Sequence, residues 1–180
     1  MWLGSLAIFF YMGIEIGIPS FFADYSNHLG TQFSDAERID MLKYYWGGLM
    51  VGRLIGIFVL QKFTARTILT LCAIGGSILV AASLLTGNGS PGVALWLFLG
   101  TGLFHSIMWP TIYNLALEDL GPHAKVGSGV VATSVIGAAV LPPIMGAVQK
   151  GAGLIIALCF LFIYYFYLIF FAQKGSKIRT

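Results

Sequence analysis

Apolar residues fall into six blocks along the chain: Leu3–Ala23, Met41–Leu60, Thr67–Thr86, Val93–Leu117, Val126–Val148 and Leu154–Ala172. A helix rises ~1.5 Å per residue, so about 20 such residues cross ~30 Å of hydrocarbon. The blocks therefore predict six transmembrane helices in an all-α membrane fold. Polar or glycine-rich connectors separate them. The longest, Asp24–Asp40, is acidic with one arginine, and Thr86–Gly92 reads TGNGSPG, a turn cluster.

A few polar residues interrupt the blocks, and they are not evenly shared. Span one carries Glu15, span two Arg53, and span four His105 and Asn114, while span three has only Ser, Thr and Cys. Span six, LIIALCFLFIYYFYLIFF, is aliphatic and aromatic throughout. A charged side chain at bilayer depth costs at least ~2.5–3.5 kcal/mol on insertion scales, so by default it marks a place where something polar is bound or moved. Taking the rise per residue, Glu15 stands ~18 Å above the boundary where span one begins, and Arg53 and His105 ~12 Å above it. One polar layer near the midplane is expected, lined by spans one, two, four and five. Spans three and six are expected to stand outside against lipid.

These features recur with a period of three spans. Glu15 lies twelve residues after Leu3 with Pro19 four residues on, and His105 lies twelve after Val93 with Pro110 five on. The second members are rich in glycine: Gly48, Gly52 and Gly56 form a GxxxGxxxG ridge, and Gly127, Gly129, Gly137 and Gly146 punctuate span five. Three spans followed by three of opposite topology is an inverted repeat, an arrangement built around a midplane site in secondary transporters. Pro142-Pro143 is expected to break the backbone ladder of span five, giving either a bend used in gating or a static kink.

Composition agrees with a membrane chain: 58% of the 180 residues are hydrophobic and 9% charged, against roughly 25% charged in a soluble domain. With the N-terminus cytoplasmic, the inside segments hold Lys62, Arg66, Lys125, Lys174, Lys177 and Arg179, and the outside only Arg38, Lys43 and Lys150. That excess places both termini inside. The net charge of +3 is too small to suggest a nucleic-acid partner. Cys72 and Cys159 lie inside apolar runs and read as buried thiols. The lack of GxxxxGK[ST] and HExxH patterns gives no reason to expect a cofactor or metal. The first block is too long, and its flank too uncharged, for a signal peptide. The chain enters membrane after only Met1 and Trp2, which suggests a half of something larger.

Four segments carry a resemblance: FFYMGIEIGIPSFF (Phe9–Phe22), YYWGGLMVGRLIG (Tyr44–Gly56), GLFHSIMWPTIYNLALEDLGPHAKVGSG (Gly102–Gly129) and the closing QKGSK. Together they resemble the second half of the fucose:proton symporter and glucose/galactose transporter family of the major facilitator superfamily. The resemblance covers essentially the whole chain. It implies spans seven to twelve of a twelve-helix fold, a missing N-terminal six-helix half with the essential proton-carrying carboxylate, and proton-coupled monosaccharide uptake by alternating access across a bacterial inner membrane. Glu15 would take the pseudo-symmetric place of that carboxylate. His105 departs from the family, which commonly carries Asn there.

Each candidate has two readings. Glu15 is a substrate hydrogen-bond acceptor or protonation site, or a structural carboxyl paired with Arg53. Arg53, after the tightly packing Gly52, reads as a structural or gating residue, with Pro110, Pro142 and Pro143 in the same class. His105 hydrogen-bonds a sugar hydroxyl, or is a neutral imidazole bonded to a neighbouring helix. Trp109, four residues on, shares its face and would supply an aromatic plate; Asn114 would add an amide. Tyr11, one turn before Glu15, is the best exception among aromatics that otherwise read as interfacial anchors, Tyr45 and Trp46 included. Two other classes compete with a transporter: a membrane-embedded enzyme and a scaffold subunit. Against the first, Ser106 and His105 point about 100° apart on a helix and cannot form a nucleophile–base pair. Against the second, a scaffold has no need of a midplane acid.

Overall fold

Each apolar block folds as helix, and the residues between blocks fix where the helices start. The computed structural model describes residues 1–118, 120–121 and 124–177. Helix α1 spans Trp2–His28 and α2 spans Asp35–Lys62. Ser34 opens α2 with a capping box: its hydroxyl accepts from the Glu37 amide at 3.3 Å, and its own amide donates to Glu37 Oε2 at 2.8 Å. Thr64 caps α3 (Ala65–Thr86) through the Thr67 amide, and Pro91 stands at the first turn of α4 (Pro91–His105). Span four then halts and resumes as α5 (Met108–Leu117). Span five is likewise composite: α6 (Ala124–Thr133), a single 3₁₀ turn over Ser134–Ile136, and α7 (Gly137–Ala152). Gly153, at φ 97°, makes the tight corner into α8 (Leu154–Gln173), and a 3₁₀ turn, Gly175–Lys177, closes the described chain.

The packing map has an internal symmetry. Helix α4 lies against α2 and α3, α1 lies against α7 and α8, and α3 and α8 lie against each other. Exchanging the first three spans with the last three leaves these pairings unchanged, as a 3+3 repeat requires. The two central members, α1 and span four, bury most of their length. Both faces of α1 are covered in this way, from Ala7 to Tyr25. Along α2 only Tyr45, Leu49, Gly52 and Gly56 are buried, and these recur at helical spacing as one narrow seam.

That seam is the glycine ridge, and close approach is its purpose. A Cβ built on Gly52 falls 2.2 Å from Ser106 Oγ, one on Gly56 falls 2.0 Å from Ile107 Cγ2, and one on Gly102 of α4 falls 2.4 Å from the Tyr45 carbonyl oxygen. Small residues let α2 and α4 meet backbone to backbone, the usual solution where lipid removes any hydrophobic drive between helices.

Several expectations change. Five helical stretches are long and apolar enough to cross a membrane by length and composition. Helix α2 falls short of that measure because four glycines, Arg53 and a charged start dilute it. Span six does not simply face lipid: one side of α8, from Leu158 through Tyr165 to Phe171, is buried against α1, α3 and α7, while Ile156, Ile163 and Phe166 are exposed. Cys159 is exposed and Cys72 half-buried, so neither is a fully buried thiol. Pro142 and Pro143 both sit inside α7, and the irregular turn of span five lies upstream at Ser134–Ile136. There Gly137 presses on α1, with a built Cβ only 2.1 Å from the Phe9 carbonyl oxygen, so interhelical contact marks the irregularity rather than the proline pair.

Candidate functional site

Met12 and Glu15 of α1, Arg53 of α2, Trp109 and Pro110 of α5 and Val135 of the 3₁₀ turn line one open cavity of about 540 Å³. That volume lies within the ~300–1,000 Å³ range of small-molecule sites. Glu15 and Met12 are three apart and share a face of α1. Trp109 reaches the cavity because α5 starts anew after the break, and its ring stacks on Tyr113 with centroids 5.1 Å apart and planes 12° apart. The cavity thus joins a carboxylate, a guanidinium and an aromatic face within an otherwise apolar wall.

Glu15 is 8% exposed, and its carboxylate is not in ion-pair contact with Arg53; the ion pairs among the described residues are Arg38–Asp35, Lys43–Asp40 and Arg66–Glu118. Glu15 and Arg53 therefore face the same space without neutralising each other directly. Arg66 works elsewhere: it donates to Glu118 at 2.5 Å and to Ser176 at 3.0 Å, tying the first turn of α3 to the exit of span four and to the tail.

The structure takes His105 and Tyr11 away from the cavity wall. The His105 ring is fully buried, with Nδ1 2.9 Å from the Tyr45 hydroxyl and Nε2 2.6 Å from the Tyr165 hydroxyl. Tyr11, also fully buried, donates to the His105 carbonyl at 3.0 Å. His105 and Trp109 would share a face only on a continuous helix. The turn at Ser106–Ile107 breaks that register, and His105 points into the bundle while Trp109 points into the cavity. Asn114 is exposed and does not line the cavity, since five residues on a helix carry it about 140° round from Trp109. Gly52 and Pro110 meet at the break itself: Pro110 lacks the N–H that would bond the Ser106 carbonyl, and Gly52 lies against Ser106.

Tyr45 and Tyr165 escape a reading of the sequence. Tyr45 is no interfacial anchor. Its hydroxyl donates to the Glu15 carbonyl at 2.9 Å, which is free because Pro19, four residues on, has no N–H. The signal for it was present: Tyr45 stands seven residues before Gly52, on the ridge face. Nothing in the aromatic run of span six singles out Tyr165. Asp119, Pro122 and His123, within the quoted span-four run, and Arg179 lie outside the described residues.

No family model matches the chain. It is 35% identical over 176 residues to the glucose/galactose transporter of Brucella abortus (strain 2308), which covers 97% of this chain and 42% of that protein. A putative glucose/galactose transporter of Helicobacter pylori (strain J99) is 37% identical over 180 residues, covering 97% and 43%. The L-fucose-proton symporter of Escherichia coli K12 is 33% identical over 122 residues, 64% of this chain and 27% of that one. The crystal structure of FucP, a major facilitator superfamily transporter in the outward conformation, matches with a TM-score of 0.86 over 99% of this chain and 42% of that one, at 23% identity. The chain thus spans about two-fifths of the length of these transporters, none of which is named as an enzyme. With its apolar helices, its polar cavity and this likeness, the chain is an integral membrane protein of the glucose/galactose transporter and fucose–proton symporter family, with the fold of one half of a major-facilitator transporter.

Proposed function

We propose that the chain is the C-terminal six-helix half of a monosaccharide transporter that works by alternating access, with both termini in the cytoplasm and the bilayer of a bacterial inner membrane as its setting. The observation that carries the reading is the shared cavity of Glu15, Arg53, Trp109 and Pro110. A sugar presents hydroxyls around its rim and C–H groups on its faces. Glu15 accepts from the hydroxyls, the Trp109 ring stacks on a C–H face, and Arg53 supplies donors from the opposite helix. Relatives named for glucose, galactose and fucose support the cargo class, and the relative named a proton symporter supports coupling to protons. In this reading the remaining wall of the cavity, and the essential proton carrier, belong to an N-terminal six-helix half.

The test is uptake of labelled fucose, galactose and glucose into vesicles holding this chain together with an N-terminal half, against vesicles holding this chain alone. Transport is expected only in the first, driven by an imposed inward proton gradient, and Glu15→Gln and Trp109→Ala are each expected to abolish it. Uptake by the chain alone, or full uptake by Glu15→Gln, would overturn the reading.

A further inference from the structure

Behind the cavity runs a closed chain of hydrogen bonds whose donors can be assigned by counting protons. The Glu15 carbonyl can only accept, so the Tyr45 hydroxyl spends its single proton there, at 2.9 Å. The Tyr45 oxygen must then accept from His105 Nδ1, also at 2.9 Å. A neutral imidazole with its proton on Nδ1 has a lone pair on Nε2, and the Tyr165 hydroxyl donates to it at 2.6 Å. Every polar atom is satisfied in this one arrangement. A doubly protonated ring would turn Tyr165 into an acceptor and leave its own proton without a partner among the described residues.

The same residue of α4 is gripped a second time. Tyr11 donates to the His105 carbonyl at 3.0 Å, at the point where span four breaks. Tyr11 and Glu15 are one turn apart on α1, so α1 is pinned to His105 at two points through side chain and main chain. Two pins a turn apart fix both the height and the rotation of one helix against another. All four residues, Tyr11, Tyr45, His105 and Tyr165, are buried to within 1% of complete, and none lines the cavity. What they fix is the placement of Glu15 on α1 relative to Trp109, four residues beyond His105.

We infer that Tyr45, His105 and Tyr165 are positioning residues for sugar binding: through the main chain of Glu15 they set its carboxylate against the Trp109 ring, without touching cargo. The inference rests on the proposed sugar site. It differs from plain structural packing in its consequences. Loss of one hydroxyl should change affinity rather than turnover, and should shift the ring-nitrogen signals of one histidine.

The experiment has two arms. In the first, ¹⁵N-histidine solid-state NMR of the chain in bilayers reads the tautomer of His105 at neutral pH, with His105→Asn used to assign the signal. The Nδ1–H form is expected, and Tyr45→Phe should shift the Nδ1 signal, because that N–H loses its acceptor, while the Nε2 signal stays in place with Tyr165 still donating to it. A wild-type ring that is Nε2–H or doubly protonated overturns the inference. In the second arm, uptake by the chain paired with an N-terminal half compares Tyr45→Phe, Tyr165→Phe and Glu15→Gln. With the Glu15 main chain released, its carboxylate is no longer held against the Trp109 ring, so Tyr45→Phe should raise KM about tenfold with the maximal rate held within about twofold. Tyr165→Phe should raise KM less, and it serves if Tyr45→Phe fails to fold. If Glu15→Gln abolishes uptake while neither tyrosine variant moves KM, the positioning role fails and the sugar site stands. If Glu15→Gln itself changes nothing, both fail.

Discussion

Helix α1 and span four occupy exchangeable places in the bundle, and each carries a proline just past its buried polar residue. They respond differently. Helix α1 runs unbroken from Trp2 to His28 through Pro19, whereas span four stops at His105 and restarts at Met108, ahead of Pro110. A proline always removes one backbone donor; the outcome depends on which group takes over the freed carbonyl. In α1 the Glu15 carbonyl receives the Tyr45 hydroxyl. In span four no side chain among the described residues donates to the Ser106 carbonyl, and Ser106 Oγ itself turns back to the Leu103 carbonyl oxygen at 2.6 Å. The difference separates two side chains that a regular helix would align, sending His105 inward and Trp109 to the cavity.

The largest effect is expected where α2 backs onto that break. Gly52→Val places a branched side chain where even a Cβ would lie 2.2 Å from Ser106 Oγ and 2.6 Å from the Leu103 carbonyl oxygen. The serine hydroxyl can rotate, but the Leu103 carbonyl is backbone and Ser106 Cβ also lies 2.6 Å away, so α2 must move away. Chemical unfolding in detergent should show a loss of about 3 kcal/mol, the upper end for overpacking. Gly47→Ala is the control on the same helix: nothing lies within 4 Å of its Cβ, and it should be neutral or stabilising by up to about 1 kcal/mol. Equal effects from the two would mean that the ridge is not a close contact.

The proline comparison can be made directly. Pro110→Ala returns a donor to the Ser106 carbonyl and should let α4 and α5 join, carrying Trp109 towards the face of His105. The expected outcome is a new slowly exchanging amide at position 110, a more stable chain by about 1–3 kcal/mol and a loss of sugar binding. Pro19→Ala should do little, less than about 1 kcal/mol, because the carbonyl it would serve already has Tyr45. If both substitutions stabilise equally, the Tyr45 bond is not a replacement for the lost backbone bond.

These contrasts mark how far the chain is legible from its sequence alone. Six helices, the polar layer and the glycine ridge all come from local spacing, because hydropathy and a four-residue repeat survive any tertiary arrangement. Counting rises puts Glu15 and Arg53 near one level of the bilayer, and they line one cavity with Trp109 and Pro110. The separation of His105 from Trp109 and the bond of Tyr11 to the His105 carbonyl were not legible, because the helical register does not carry across Ser106–Ile107. A break shifts every later residue to another face. Tyr45 and Tyr165 were hidden for another reason: aromatics in membranes serve so often as anchors that residue type alone does not reveal a buried hydroxyl.

Away from the bundle centre the effects should shrink. Arg66→Ala removes bonds to Glu118 and Ser176, but both members of the ion pair are about a third or more exposed on their side chains, at 34% and 43%. Screening by water limits such pairs to about 1 kcal/mol or less, so unfolding should shift only slightly and less at high salt.

The smallest expected effect is also the cleanest in sign. At the start of α2 the Ser34 amide and hydroxyl both donate to Glu37, and these bonds hold its carboxyl below the ordinary glutamate value. A group whose folded value is depressed contributes stability above its unfolded value and loses it as pH falls through the folded one. The capping box should therefore be intact at neutral pH and weaken as the medium is acidified below roughly pH 4, where free glutamate takes up its proton. Hydrogen exchange of the first-turn amides of α2 reads this directly. In the wild type, protection should fall on acidification beyond the general trend; in Glu37→Gln, which keeps an acceptor but cannot titrate, it should not. The carboxylate is solvated and the cap lies outside the bundle, so neither change should reach the Tyr45 bond, about three helical turns further along α2. If acid loosened that bond too, α2 would have to behave as one rigid lever from its cap to the cavity, and its solvated start and packed seam would not be separate units.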